Sequence, residues 1–367
     1  MEIVLSTASQ IESVLKQELE RLGYVPSAFN SGRTTIDGEW IDLARANVSL
    51  RTADRVYIRL ARFTARTFDE LFDGIMSARL KDLLPKTAKI HMSAKCKNSQ
   101  LMAFSACQSV ANKAVCENLK RAYGVNHLPM AGATFDIELN IQDDIAELLL
   151  NTSGEGLYKR GYRDLSTEAP IKETLAAGLL LLAKRGEEDF CDPFAGSGTL
   201  AIEYARIAKN IAPGINRNFA FEALGLPEAE KALSLARDEA RSQENPTKVK
   251  IIANDIDQRL NSIIARHAKR AGVIDCVTVR TGDARKIVLP DTGGLIVTNP
   301  PYGERLMTVA EVGKLYREFG ENMKRNNPNW RVNVVTAYEN FEKAYGKRAV
   351  KNRKIYNARL ACRYYMF

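Results

Sequence analysis

Asp192-Pro193-Phe194-Ala195-Gly196-Ser197-Gly198-Thr199-Leu200 follows the short strand Asp189–Asp192 and opens a helix. Two glycines in such a turn let a ligand lie against the backbone, where the unpaired N–H groups of the helix start point at it. A triphosphate-gripping loop needs G-x-x-x-x-G-K-[ST], and no lysine stands between Gly198 and Thr199. The dinucleotide fingerprint G-x-G-x-x-G lacks its third glycine. The surviving expectation is an adenosine-type cofactor that carries no pyrophosphate.

Around this turn the pattern alternates. A helix over Ala169–Lys184 precedes it, and the strands Lys250–Asn254, Cys276–Arg280 and Leu295–Thr298 follow. This alternation predicts an α/β fold with a doubly wound, mostly parallel sheet and ligands at the strands' carboxyl ends. Two of those ends carry acids. Asp255, followed by Ile256, sits where a carboxylate accepts from ribose hydroxyls, with Asp257 as the alternative, and Asp283, followed by Ala284, sits where an adenine amino group would lie. Each acid alone reads as a cap or turn residue; their recurrence after successive strands is the signal. The 63 residues from Asp192 to Asp255 exceed a minimal strand–helix–strand unit, which predicts an insertion over about 210–246.

The decisive motif is Asn299-Pro300-Pro301-Tyr302 after Leu295–Thr298. At about 5% usage per residue, chance places this tetrapeptide in on the order of one chain in a few hundred. An exocyclic amine on a base is a poor nucleophile because its lone pair is delocalised into the ring. The Asn299 side-chain oxygen and the Pro300 carbonyl can accept from that NH₂ and align its lone pair with an electrophilic methyl. Tyr302 offers a face on which an extruded base stacks. No metal is required.

The chain has 367 residues, room for two or three domains, with 45% apolar and 26% charged residues. That excludes disorder as the main state and coiled-coil architecture. The longest apolar run is Leu175–Ala183, far short of the roughly 20 residues a bilayer needs. The N-terminus has no signal-peptide pattern, so a cytoplasmic protein is expected. Cys96, Cys107, Cys116, Cys191, Cys276 and Cys362 form no C-x-x-C pair, and His91, His127 and His267 stand apart. Neither a zinc site nor a disulfide framework is expected.

The net charge of +9 is uneven, +1 up to residue 165 and +8 after it. Eight basic residues and one acid, Glu342, fall in Phe341–Phe367. Interleaved with Tyr345, Tyr356, Tyr364 and Tyr365, they suit a polyanion or, equally well, a sheet edge protected from aggregation.

The first 65 residues read as a small α/β unit. It comprises a strand over Glu2–Ser6, a helix behind a Ser9-x-x-Glu12 capping box, and an alternating strand around Val56–Leu60. A second unit starts near Thr67. It contains a helix face of Phe68, Leu71, Phe72, Ile75 and Met76, a strand Ile90–Ala94, a helix over Ser99–Tyr123 closed by Gly124, and alternating Phe135, Ile137 and Leu139. Asn151–Ser166, rich in Gly, Ser and charge, marks a junction. The basic residues Lys95, Lys97, Lys113, Lys120 and Arg121 are expected to share one face.

DPFAGSGTL, NDID, GDA and NPPYGERL, in that order, resemble the motifs of amino-methylating class I methyltransferases. With Lys97–Leu101, Cys107-Gln108, Lys113-Ala114, Thr152–Leu157 and Lys159–Arg163, the whole chain resembles bacterial THUMP-domain RNA guanine-N2 methyltransferases, a family often labelled adenine-specific DNA methylases. The resemblance implies a ferredoxin-like domain over 1–65, an α/β THUMP RNA-binding domain over 66–160 and a Rossmann-like domain over 161–367. It implies S-adenosylmethionine as cofactor and 23S ribosomal RNA, naked or in an assembly intermediate, as partner. Carried over, the glycine turn, Asp255 and Asp283 bind the cofactor, and Asn299, Pro300, Pro301 and Tyr302 hold the base. Arg160, Tyr162 and the stretch Pro170, Lys172, Glu173 line the cofactor pocket. The usual His of the junction motif is Tyr158 here.

Three other readings remain open. A DNA adenine-N6 methyltransferase presents its amine to the same acceptors, but has no need of the first 165 residues; transfer RNA is a further substrate class served by THUMP domains. A non-catalytic RNA-binding factor would have no use for Asn299. The oligomeric state is not fixed by the sequence.

Overall fold

The computed structural model describes residues 1–165, 171–184, 186–303, 307–358 and 360–367. The expected helix start at Ala169, the pocket residue Pro170 and Glu304–Leu306 of the last motif lie outside the described residues.

The N-terminal elements are β1 (Glu2–Thr7), α1 (Glu12–Arg21), β2 (Arg33–Asp37), α2 (Trp40–Ser49), β3 (Ala53–Thr64), α3 (Phe68–Met76), β4 (Lys89–Lys97), α4 (Phe104–Tyr123), β5 (Thr134–Gln142) and β6 (Ile145–Asn151). The two units read separately from sequence share one six-stranded sheet, ordered β2-β1-β3-β6-β5-β4, in which only β4 and β5 run parallel. Strand alternation sends Ile3, Leu5, Ile58, Ile137 and Leu150 to one face, where they meet Leu15, Leu43, Leu71, Ile75 and Leu119 of the helices. On the other face the alternate residues pair by charge. Glu138 holds Lys95 at 2.8 Å and also Arg33, while Glu147 holds Arg59 at 2.7 Å. The expected single basic face does not form. Lys95 and Lys97 lie on this outer face, whereas Lys113, Lys120 and Arg121 ride on α4 across the sheet.

Two helix starts differ from the sequence reading. α1 begins after Ile11 without a side-chain cap, because Gln10 adopts φ +74° and breaks the Ser9–Glu12 geometry. A capping box opens α3 instead, between Thr67 and Glu70. α4 begins at Phe104 and not Ser99, since the Ser99 hydroxyl donates to Lys97 O and accepts from Asp144 N, an alternative to helix. Gly124, at φ +63°, closes it as expected.

The second half runs α5 (Glu173–Ala183), β7 (Phe190–Asp192), α6 (Thr199–Ala208), α7 (Pro227–Ser242), β8 (Ile251–Asp255), α8 (Leu260–Arg270), β9 (Val277–Thr281), β10 (Gly294–Thr298), α9 (Val309–Asn326), β11 (Trp330–Thr336), α10 (Phe341–Tyr345), β12 (Lys351–Asn357) and β13 (Leu360–Met366). Its sheet is ordered β12-β13-β11-β10-β7-β8-β9. Five central strands are parallel and the terminal hairpin is antiparallel, giving the expected doubly wound, mostly parallel α/β fold. The basic C-terminal segment comprises α10 and that hairpin. Its Tyr345, Tyr364 and Tyr365 are buried and cannot stack on a ligand; Tyr356 alone of the four is exposed. No described helix is long and apolar enough to cross a membrane.

The insertion ties the two halves together. Ala212, Phe219, Phe221, Leu233 and Ala236 belong to the N-terminal core, and Arg45 of α2 makes a two-pronged bond to Glu239 of α7 at 2.7 and 2.8 Å. Nor is the junction a loose linker. Ser153 donates to Asn47 Oδ1 at 2.7 Å, and Arg217 donates to the carbonyls of Gly156 and Lys159. Gly214 is wedged here, and a side chain on it would come within 2.6 Å of Asn47 O and 2.9 Å of Phe219 Cζ. Gly214→Val therefore lowers stability by about 1–3 kcal/mol, read as a lower thermal midpoint by scanning calorimetry, while Gly186→Ala, in open space, leaves the midpoint unchanged.

Candidate active site

β7 is three buried residues at the sheet's centre, and the chain leaves it through the glycine turn into α6. Gly196 and Gly198 take φ +53° and +83°, a backbone that other residues rarely tolerate. They differ in surroundings. A Cβ on Gly198 would meet Ile264 of α8 at 2.9 Å, so this glycine serves packing; one on Gly196 would meet nothing within 4 Å, leaving room for a ligand against the backbone. Phe194 packs edge-on against Phe319 at 5.4 Å, and Ala195 N–H donates to Asn254 O at 2.9 Å. Pro193 O accepts from the Asn254 side chain at 3.1 Å.

Asp255 ends β8 and is half-buried. One carboxylate oxygen accepts from Gly196 N–H at 2.9 Å, the other from Asp257 N–H at 3.0 Å. Both oxygens keep a lone pair, so an anchored acceptor stands beside the open side of Gly196. Asp257 instead pairs with Arg259, and Ile256 is exposed. Asp283 caps the turn that includes Ala284, and the Arg285 guanidinium grips it from 2.6 Å and holds its carboxyl below the usual range. The sequence reading assigns Asn254 no role. Its Nδ2 also bonds Gly282 O at 2.9 Å, joining the turn, β8 and the Asp283 segment.

Asn299 lies at the end of β10, the strand next to β7. The preceding Thr298 donates its hydroxyl to Asp192 Oδ1 at 2.6 Å, a tie between the two motifs that the sequence does not show. Phe194 N–H donates to the same oxygen at 3.2 Å. Pro300 is buried, and Pro301 O accepts from the Tyr316 hydroxyl at 2.6 Å, which accepts in turn from Thr336. Tyr302 folds inward against the second core and donates its hydroxyl to Asn299 Oδ1. In this conformation Tyr302 occupies the acceptor expected to receive a base amine.

Arg160 and Tyr162 do not offer groups to a ligand. Both are buried, Arg160 donating to Leu157 O and Arg51 O and lying 3.7 Å from Glu203, while the Tyr162 hydroxyl donates to Glu203 at 3.1 Å. Their role is to seat α6 on the N-terminal half. Lys172 lies 4.8 Å over the Tyr158 ring. Buried Glu173 pairs with Arg163 at 3.1 Å, and burial pushes its carboxyl up to about 7. Arg163 also donates to Thr199 Oγ1 at 3.4 Å, which lies the same distance from Ser197 Oγ. His267, which stands alone in the sequence, is buried against the turn. The Ser197 carbonyl can only accept, so Nδ1–H donates to it at 3.1 Å, and Nε2 accepts from Leu165 N–H at 3.4 Å. Burial lowers its pKa and keeps it neutral in that tautomer. A lone histidine in a helix carries no sequence signal for such a bridge.

Comparison with known proteins identifies the family. Residues 160–366 match the RMKL-like methyltransferase domain family, and residues 2–57 match the RlmL ferredoxin-like domain. The chain is 37% identical over its whole length to "Putative RNA methyltransferase YpsC" of Bacillus subtilis (strain 168), covering 95% of it. Two crystal structures align over the full chain with TM-score 0.93. One is SMU.472, "a putative methyltransferase complexed with SAH", 35% identical with 97% of it covered. The other is a "predicted N6-adenine-specific DNA methylase" from Listeria monocytogenes, 40% identical with 95% covered.

Asp192 gives the site a pH signature. Its carboxyl is 1% exposed, and burial raises it from 3.8 to about 7. The folded chain then binds a proton that the unfolded chain has lost, so the stabilisation is full below about pH 4 and fades as pH rises to about 7. Asp192→Asn keeps both acceptor bonds without the charge. Its thermal midpoint, measured across this range, gains on wild type as pH rises, and the two curves run parallel above about pH 7.

Proposed function

This chain belongs to the RMKL-like methyltransferase family, and we propose that it transfers a methyl from S-adenosylmethionine to the exocyclic N2 amine of a guanine in 23S ribosomal RNA. The observation that carries the reading is the union of two motifs. Asn299-Pro300-Pro301-Tyr302 ends the strand paired with the one that feeds the glycine turn, and Thr298–Asp192 ties them. In this reading 1–65 and 66–160 form the ferredoxin-like and THUMP RNA-gripping parts, and 161–367 the catalytic part. YpsC, named for RNA, supports that substrate. The guanine and the ribosomal subunit rest on the sequence resemblance.

The cofactor supplies a methyl on a sulfonium, which leaves as a neutral thioether. Gly196 gives it room, and Asp255 offers its free lone pairs to the ribose hydroxyls. Asn299 Oδ1 and the Pro300 carbonyl accept from the base NH₂ and hold the nitrogen in line, so orientation supplies much of the rate. Tyr302 stacks on the extruded base. The amine's proton leaves to solvent after the N–C bond forms.

The test is labelled methyl transfer to total RNA and to genomic DNA from a deletion strain, followed by digestion to nucleosides. N2-methylguanosine in large-subunit RNA supports the reading; label only in N6-methyladenine of DNA overturns it in favour of the activity for which the Listeria relative is named. Asn299→Ala lowers kcat/KM by about 10²–10³-fold, the scale for losing one preorganised polar group.

Tyr302 gives a second, sharper test. Tyr302→Phe keeps the ring and frees Asn299 from its competitor, so it retains activity. Tyr302→Ala loses the stacking face, worth about 1–3 kcal/mol, and raises KM for RNA by roughly five- to 150-fold.

A further inference from the structure

The basic C-terminal hairpin has one face that the proposed reaction does not use. β12 is the outermost strand of its sheet, and no acidic residue occurs between Lys343 and Phe367. Register places Lys354 opposite Arg363 and Tyr356 opposite Ala361. Since side chains alternate along a strand, Lys354, Tyr356 and Arg363 share one face, and all three are exposed. Ile355 and Cys362 point the other way, into the core.

The stripe is ordered by its own contacts. Lys354 Nζ lies 5.3 Å over the Tyr356 ring. Arg363 donates to Asn352 Oδ1 at 2.9 Å and remains exposed. Ala361 is small, which leaves the flank of the Tyr356 ring uncovered, and Tyr356 is 40% exposed. The stripe also has a direction. The next residue, Asn357, turns to the opposite face with Ile355, on the side where Tyr302 packs, and lies near the Tyr302 hydroxyl, so this end of β12 is close to the proposed base pocket. From Lys354 to Asn357 the strand rises about 10 Å, three steps of roughly 3.3 Å.

Protection of a sheet edge from aggregation would explain lysines there. It does not explain an uncovered aromatic ring flanked by cations on the strand whose end lies near Tyr302. Cations that neutralise phosphates, with an aromatic on which a base stacks, form the recognition set for single-stranded nucleic acid.

We propose that this face of the β12–β13 hairpin binds the unpaired RNA strand next to the target nucleotide. Lys354 and Arg363 take its phosphates, and a flanking base stacks on Tyr356. The inference rests on the RNA reading above and adds the surface that delivers the strand to Tyr302.

The experiment measures steady-state methylation of deletion-strain ribosomal RNA, and its salt dependence, by wild type, Lys354→Gln/Arg363→Gln, Tyr356→Ala and Tyr356→Phe. Calorimetric titration with S-adenosylmethionine checks that each variant is folded. The double variant raises KM for RNA about tenfold or more with kcat retained. Its plot of log KM against log salt is shallower by about 1.4, since each phosphate no longer neutralised on a single strand removes roughly 0.7 from the slope. Tyr356→Ala raises KM about fivefold or more, and Tyr356→Phe restores it, because stacking needs the ring and not the hydroxyl. If wild type methylates RNA while the variants keep its KM and salt slope, the inference fails and the RNA reading stands. Variants that self-associate at unchanged KM overturn the inference too, and assign the lysine and arginine to edge protection. If wild type labels DNA alone, the RNA reading fails and this inference with it.

Discussion

The side-by-side parallel pairing of β7 and β10, closed at its carboxyl end by the Thr298–Asp192 hydrogen bond, is the constraint on which the rest of the site depends. A parallel sheet sends its loops to one edge, so adjacent strands deliver their turns to the same place. Here those turns are the glycine loop and Asn299-Pro300-Pro301-Tyr302. Asp192 is the hinge of the arrangement and sits against its own solvation preference, since a carboxyl at 1% exposure resists ionisation. The bonds from Thr298 and Phe194 N–H partly offset that cost and fix the turn relative to Asn299. A site built to align two reacting atoms needs this rigidity more than it needs any acid or base.

The two halves of the chain meet through charge as well as apolar contact. Glu203 of α6 is fully buried between Arg160 and the Tyr162 hydroxyl, and Arg51 of the N-terminal half donates to Ile211 O at 2.9 Å. A buried ion pair adds little net stability, but breaking one side costs several kcal/mol, so such a cluster penalises alternative dockings. α6 begins at the glycine turn. A shift of the N-terminal half therefore reaches the cofactor loop through one helix, and the insertion packed on α2 resists that shift from the other side. The N-terminal half and the glycine turn are thus held in fixed register.

How much of this was legible in the sequence follows from how local each signal is. The glycine turn, the strand ends and Asn299-Pro300-Pro301-Tyr302 are contiguous motifs whose chemistry is written in adjacent residues, and the sheet around them could be read from alternation. Thr298, Asn254 and His267 could not be assigned, because each acts on a residue remote in sequence: Asp192, Gly282 and Ser197. Arg160 and Tyr162 show the opposite error. A stretch that a resemblance assigns to the cofactor pocket need not face it, and a buried partner, Glu203, claims both side chains. Composition misled at the junction as well. Gly, Ser and charge read as a linker, yet Ser153 and Arg217 bury their polar atoms in bonds across it.

The Tyr302–Asn299 hydrogen bond bears on where binding energy for the substrate comes from. In the proposed reaction, a base amine entering the pocket would exchange one donor on Asn299 Oδ1 for another. Such an exchange is nearly neutral in free energy, since the acceptor is satisfied before and after. On that reading Asn299 orients the nucleophile without offsetting the cost of extruding the base from the stack, a few kcal/mol. That energy has to come from elsewhere on the nucleic acid, from stacking on the released Tyr302 ring and from contacts to phosphates beside the target. The exposed stripe of Lys354 and Tyr356 with Arg363 opposite lies on the hairpin whose Asn357 is near Tyr302. On the proposed reading, displacing Tyr302 and engaging that stripe would be parts of one event, in which the flanking strand drives the base toward an acceptor that is already in place.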